Sequence, residues 1–168
     1  KAYKEELKKK ISDIHQPKAK LGSKGMFKDL KKAMEKKSDV LVFIHGFNVS
    51  WFEAVGSALA LEYMLNRKGI GDEKQKIMVL LFTWPSDGMA LPFVSYKSDR
   101  SEAEGSGYAV GRGILKLRNF LIDLRDRAKQ GEELCNQDIH LLCHSMGNYV
   151  LQNTIKRIDQ YTPGTVLP

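Results

Sequence analysis

Ser145 stands where a serine hydroxyl can act as a nucleophile. Ile139, Leu141 and Leu142 form an apolar run that leads into Cys143-His144-Ser145-Met146-Gly147, and a helical pattern follows at once. A strand, a tight turn and a helix in that order force the central residue into a strained backbone conformation. The turn also pushes its side chain out above the sheet edge. The residues two before and two after the serine must be small, because strand and helix backbones nearly touch there. Gly147 meets that requirement, and Cys143 stands where glycine is the usual choice. The helix that follows adds its free N–H groups and the positive end of its dipole behind Ser145.

A second segment belongs with the first. Val40-Leu41-Val42-Phe43-Ile44 is an unbroken apolar run that closes on His45-Gly46-Phe47-Asn48. A third apolar run, Ile77–Phe82, ends in Thr83-Trp84-Pro85-Ser86. With these three strand ends the chain resembles the α/β-hydrolase superfamily. It is most similar to a bacterial esterase- or lipase-like branch that carries His-Gly-Phe-Asn, Trp-Pro-Ser and His-Ser-Met-Gly. The resemblance spans roughly residues 38–160 and is carried by the pair of motifs together.

The resemblance implies a serine hydrolase that cleaves a carboxylic ester or related acyl bond through an acyl-enzyme. Ser145 is then the nucleophile, and the N–H groups of Phe47 and Met146 form the oxyanion hole. His45, Gly46, Cys143, His144 and Gly147 shape the site, with His45 ordering its loop through backbone hydrogen bonds. Asn48, Trp84, Phe93 and Tyr96 are candidates for an acyl pocket, the aromatic ones equally for core. The substrate expected is a small acyl ester or a lipid, with no cofactor and no metal. In this fold the triad runs serine, acid, histidine along the chain, and no histidine follows Ser145. Base and acid are therefore expected beyond Pro168, which makes the chain a portion of the fold. The chain opens on Lys1 and not on Met, which leaves a leading segment, such as a signal peptide or membrane anchor, open as an alternative.

The elements that must position these residues follow from periodicity. Residues 2–14 read as a helix with Leu7, Ile11 and Ile14 on one stripe, and Gln16–Gly25 as a linker. Residues 1–25 thus form a basic helix and linker ahead of the α/β core, 26–168. A helix over about 26–37 carries Phe27, Leu30 and Met34. Ser50 and Glu53 form a capping box that opens a helix to about Lys68, with Val55, Leu59 and Met64 on its buried side. Met89–Ala103 reads as a long loop bearing Phe93, Tyr96 and Asp99. The helix after it, about 102–129, has the stripe Ile114, Leu117, Leu121, Leu124 and Ala128, and a last helix covers about 147–160. Apolar strands alternating with amphipathic helices predict a parallel sheet with helices on both faces, and the resemblance implies that the His-Gly strand lies between the other two.

Composition narrows the alternatives. The 168-residue chain carries a formal charge of +7, and residues 1–37 hold thirteen lysines against five acids. Such a segment suits an anionic membrane surface or partner. A catalytically inactive scaffold of that kind is the competing reading. Nucleic acid is not expected, because arginine and interleaved aromatics are scarce there. Gly111-Arg112-Gly113 follows no strand and lacks the phosphate-loop lysine, which argues against nucleotide binding. Cys135 and Cys143 form no disulfide framework or metal spacing. Oligomeric state and compartment are not written in the composition.

Overall fold

A computed structural model describes residues 22–35, 38–67, 76–86, 94–129 and 138–161. Its elements are α1 (Gly22–Glu35), β1 (Ser38–Ile44), α2 (Trp51–Leu65), β2 (Lys76–Phe82), α3 (Val94–Lys129), β3 (Ile139–Cys143) and α4 (Gly147–Tyr161). The basic helix expected over 2–14 and Phe93 lie outside the described residues. The strands form one sheet in the order β2-β1-β3, and both pairings are parallel. Ile44 is in register with Phe82 on one side and with Cys143 on the other, so all three strands finish at one edge. The loops that carry the chemistry therefore leave the sheet side by side.

The two crossovers run in opposite directions across the sheet. Right-handed connections then place α2 and α3 on opposite faces. Val40, Val42 and Ile44 of β1 are fully or almost fully buried. Val40 and Val42 meet Leu30 and Met34 of α1 together with Leu117 and Phe120 of α3. Ile44 meets Ala103 and Val110 of α3 and Val150 of α4, with Trp84 and Met146 closing the cluster. Strand periodicity sends Leu41 and Phe43 to the other face. The α1 stripe Phe27, Leu30 and Met34 packs as its spacing predicts. The helix starts at Gly22, however, inside the stretch read as linker.

Two further expectations are corrected. Leu59 and Met64 of α2 are more than half exposed, and the residues that helix buries are the small Ala54 and Ala58. Small side chains let α2 approach the sheet closely and turn its large apolar groups outward. The stretch read as a loop, Met89–Ala103, is helical from Val94. Its buried positions Asp99 and Ala103, followed by the buried Gly107 and Val110 and the partly buried Ile114, extend the later stripe backwards at three- and four-residue spacing. At Gly107 the stripe meets the backbone of α4: a Cβ there would lie 3.0 Å from the Asn153 carbonyl carbon.

The capping box forms as expected. Glu53 N–H donates to the Ser50 hydroxyl, and the Glu53 carboxylate accepts from the Ser50 N–H at 2.8 Å and from its hydroxyl at 2.7 Å. At the other end of α2, side chains close the outer edge of β2. Asn66 donates to the Ile77 carbonyl and accepts from the Ile77 N–H, both at 2.8 Å, and the Glu62 carboxylate accepts from Val79 N–H at 2.8 Å. The amide imitates the ladder of a neighbouring strand, which blunts an edge that would otherwise pair with another chain. Asn66→Ala should lower stability by about 1 kcal/mol for each ladder bond lost. The check is a urea titration in which the midpoint falls and the slope is unchanged.

Candidate active site

Ser145 occupies the turn between β3 and α4 with φ 49°, and Asn48 in the His-Gly loop has φ 55°. No other non-glycine residue among those described has a positive φ. Left-handed backbone is unfavourable for a residue with a Cβ, so both positions are held there by their surroundings. At Ser145 the holding group is the start of α4. A Cβ on Gly147 would lie 2.6 Å from the Ile44 carbonyl oxygen and 2.8 Å from that of His45. The chain can therefore pass from β3 into α4 only by turning within His144–Met146. His144 N–H donates to the Ile44 carbonyl at 3.0 Å, and Gly147 N–H to the His144 carbonyl at 2.8 Å. Asn148 ties the turn from outside, its amide donating to the Cys143 and Ser145 carbonyls. The Ser145 side chain is exposed.

The His-Gly loop lies directly against this turn. A Cβ on Gly46 would meet Ser145 Cβ at 3.1 Å, the His144 carbonyl oxygen at 3.2 Å and His144 Nδ1 at 2.7 Å. Phe47 and Met146, the two residues expected to supply N–H donors, flank the contact. Among the described residues neither N–H is taken up by another group. Met146 is buried in the core cluster that Phe47 borders, so both backbones are packed in place.

The histidines separate by environment. His45 is buried, and its Nε2 accepts from the Thr83 hydroxyl at 3.2 Å and from Trp84 N–H at 3.3 Å. That network fixes the proton on Nδ1, which donates to the Gly46 carbonyl at 3.0 Å. Burial holds the pKa of His45 below the ordinary value of 6.5, opposed by weaker contributions from Gly46, Trp84 and Asp99. It is a neutral brace for the loop and is turned away from the serine. His144 lies over Gly46, and His140 sits exposed on β3. Among the described residues no hydrogen bond reaches the Ser145 hydroxyl.

Trp84 stacks on the His45 ring at 5.3 Å, and its indole N–H donates to the His45 carbonyl at 2.9 Å. It is buried in the core cluster beneath the loop. Tyr96 is half-exposed and meets Phe47 edge-on at 5.5 Å, on the rim beside the loop. Asn48 has its Oδ1 buried without a partner among the described residues. Cys143 is a half-buried free thiol whose pKa is raised by burial, consistent with a packing role. Two contributors escaped the sequence reading. The Asp99 carboxylate accepts from the Ser86 hydroxyl at 2.6 Å and from Asn48 N–H at 3.3 Å, and the Ser86 hydroxyl accepts from Val49 N–H at 3.2 Å. A stripe traced back from Ile114 to position 99 was the available signal.

A family model described as an alpha/beta hydrolase of unknown function (DUF900) matches residues 23–164. The chain belongs to this alpha/beta-hydrolase family. No curated protein and no solved structure matches it. The match takes in all three strand ends and the elements between them, so the hydrolase assignment and the geometry rest on the same residues. Among the described residues no group of three metal-ligating side chains forms, and no helix is long and apolar enough to cross a membrane.

Two outcomes follow from the packing. Gly147→Ala, with backbone carbonyls on two sides that cannot give way, should destabilise the fold by about 3 kcal/mol or more. Gly46→Ala meets a movable imidazole first and should cost less stability. Thermal unfolding of the two variants checks the order. His45 binds a proton more weakly folded than unfolded, so its stabilising contribution is complete above pH 6.5 and is lost as the pH falls through the lowered folded value. Urea midpoints of the wild type should fall from pH 7.5 to pH 5, and His45→Asn should show a smaller fall.

Proposed function

We propose that this hydrolase acts through Ser145 on a carboxylic ester or related acyl bond, and that a small acyl ester or lipid is its substrate. The observation that carries the reading is the left-handed Ser145, exposed at the head of α4 and set against the His-Gly loop. That strain is the signature of a serine aimed out of its own turn, and such strain collects at reactive positions.

The chemistry is a two-step acyl transfer. Ser145 Oγ attacks the carbonyl carbon and its proton passes to a general base. The carbonyl π electrons move onto oxygen, where the Phe47 and Met146 N–H groups receive the negative charge. Collapse of that intermediate expels the alcohol with the proton from the base and leaves an acyl-serine. Water then repeats the sequence and releases the acid. Each such donor is worth about 2.7–4 kcal/mol in the transition state. Because His45 is committed to the loop, we assign the base to a histidine outside the described residues. Tyr96 and Phe47 present an apolar wall on the loop side, which suits an acyl chain.

The test is fluorophosphonate labelling of the full natural protein with mapping of the adduct. Labelling confined to Ser145, abolished in Ser145→Ala together with a fall of about 10⁴-fold or more in ester hydrolysis, is the expected result. A folded protein whose serine does not label would overturn the reading in favour of the non-catalytic scaffold.

A further inference from the structure

Asp99 is the one carboxylate on the buried stripe of α3, fully enclosed between Ala103 and the loops that leave β1 and β2. A carboxylate in such a place is expensive to bury and persists only where hydrogen bonds compensate it. Its donors here are informative. Oδ2 takes the Asn48 N–H directly and the Ser86 hydroxyl at 2.6 Å, while that hydroxyl takes the Val49 N–H. One oxygen therefore gathers two successive peptide groups, one by itself and one through Ser86. Both peptides come immediately after Phe47.

The backbone inverts at the same place. Asn48 is left-handed, so the Asn48 and Val49 N–H groups are drawn inward while the Phe47 N–H is left without an acceptor among the described residues. Asparagine tolerates that conformation better than most residues. Tolerance does not select it, however, and the carboxylate supplies the selection. Without Asp99 the loop loses the acceptor that distinguishes one peptide from the next, and the Phe47 N–H is free to turn inward.

We propose that Asp99 is a positioning residue for the oxyanion site, holding Asn48 directly and Val49 through Ser86 so that the Phe47 N–H stays aimed beside Ser145. This rests on the reading of Ser145 as the nucleophile. Asp99 touches no reacting atom. Its contribution is to the orientation of a donor, so its loss lowers the rate of the covalent step and leaves substrate binding largely intact.

The experiment measures the second-order rate of fluorophosphonate labelling in the full natural protein for wild type, Asp99→Ala, Asp99→Asn and Ser86→Ala, each well below its unfolding temperature. Ester hydrolysis is followed in parallel. Asp99→Ala should label about 10²-fold more slowly, the effect of one displaced oxyanion donor, with kcat reduced and KM little changed. Asp99→Asn retains a carbonyl acceptor and should recover most of the rate, which a merely structural role would not require. Ser86→Ala, which keeps the carboxylate, should lie between wild type and Asp99→Ala. If Asp99→Ala does not fold, Ser86→Ala decides, and labelling at the wild-type rate overturns the proposal. A labelled wild type with an equally fast Asp99→Ala sinks the role of Asp99 alone. An unlabelled wild type sinks the nucleophile reading itself and the positioning role with it.

Discussion

At Gly147 the backbone of α4 touches the end of β1, with room for a hydrogen and none for a methyl group. Much of the site depends on that contact. It brings the first turn of a helix against the carbonyls of the central strand, so the link from β3 must reverse within three residues. A reversal that short is what places Ser145 in left-handed backbone, with its side chain outward and the helix N-terminus behind it. The same closeness sets Gly46 against Ser145, since both loops leave neighbouring strands at one register. Strain at the serine is thus a consequence of packing between elements.

Around this contact the protein builds an unusually braced loop. His45 is buried as a neutral ring, gripped at Nε2 by the groups that follow β2 and at Nδ1 by its own loop. Trp84 covers that ring and bonds its carbonyl. Ser86 and Asp99 take the next two peptides. His45, Trp84 and Asp99 are removed from water, and an unsatisfied partner at any of these three would cost about 1–3 kcal/mol. The arrangement serves preorganisation: donors already fixed need no reorganisation when charge develops on a bound carbonyl. The parallel sheet makes it possible, because three strand ends finishing level bring residues distant in sequence to one edge.

Local patterning accounts for much of the architecture. Each strand is a short apolar run, and runs of this kind alternating with helices point to parallel pairing, although β3 leaves Leu141 and Leu142 exposed. The central place of the His-Gly strand is implied by the family resemblance. The capping box at Ser50 and the turn at His144–Met146 are legible because they join residues three or four apart. Legibility fails where long-range packing overrides the local pattern. Leu59 and Met64 read as core because α2 is apolar all round, yet Ala54 and Ala58 fit closest to the sheet. The first turns of α3 read as a loop because the stretch up to Ala103 shows no clear local period, and it is in the packed molecule that Ala103 joins the cluster around Ile44 and Val150.

By itself, then, the sequence determined the fold class, the identity of the exposed serine and the loop facing it, since each is encoded in contiguous residues whose period or turn chemistry has one good solution. The tertiary structure decided which polar residues hold that loop. Thr83, Ser86 and Asp99 lie 37 to 51 residues from their partners in the segment after β1, and no local period relates them. Their meeting depends on strand register and on the face that α3 turns to the sheet. Those are properties of the packed molecule, and they settle whether Asp99 is a polar loop residue or a buried acceptor.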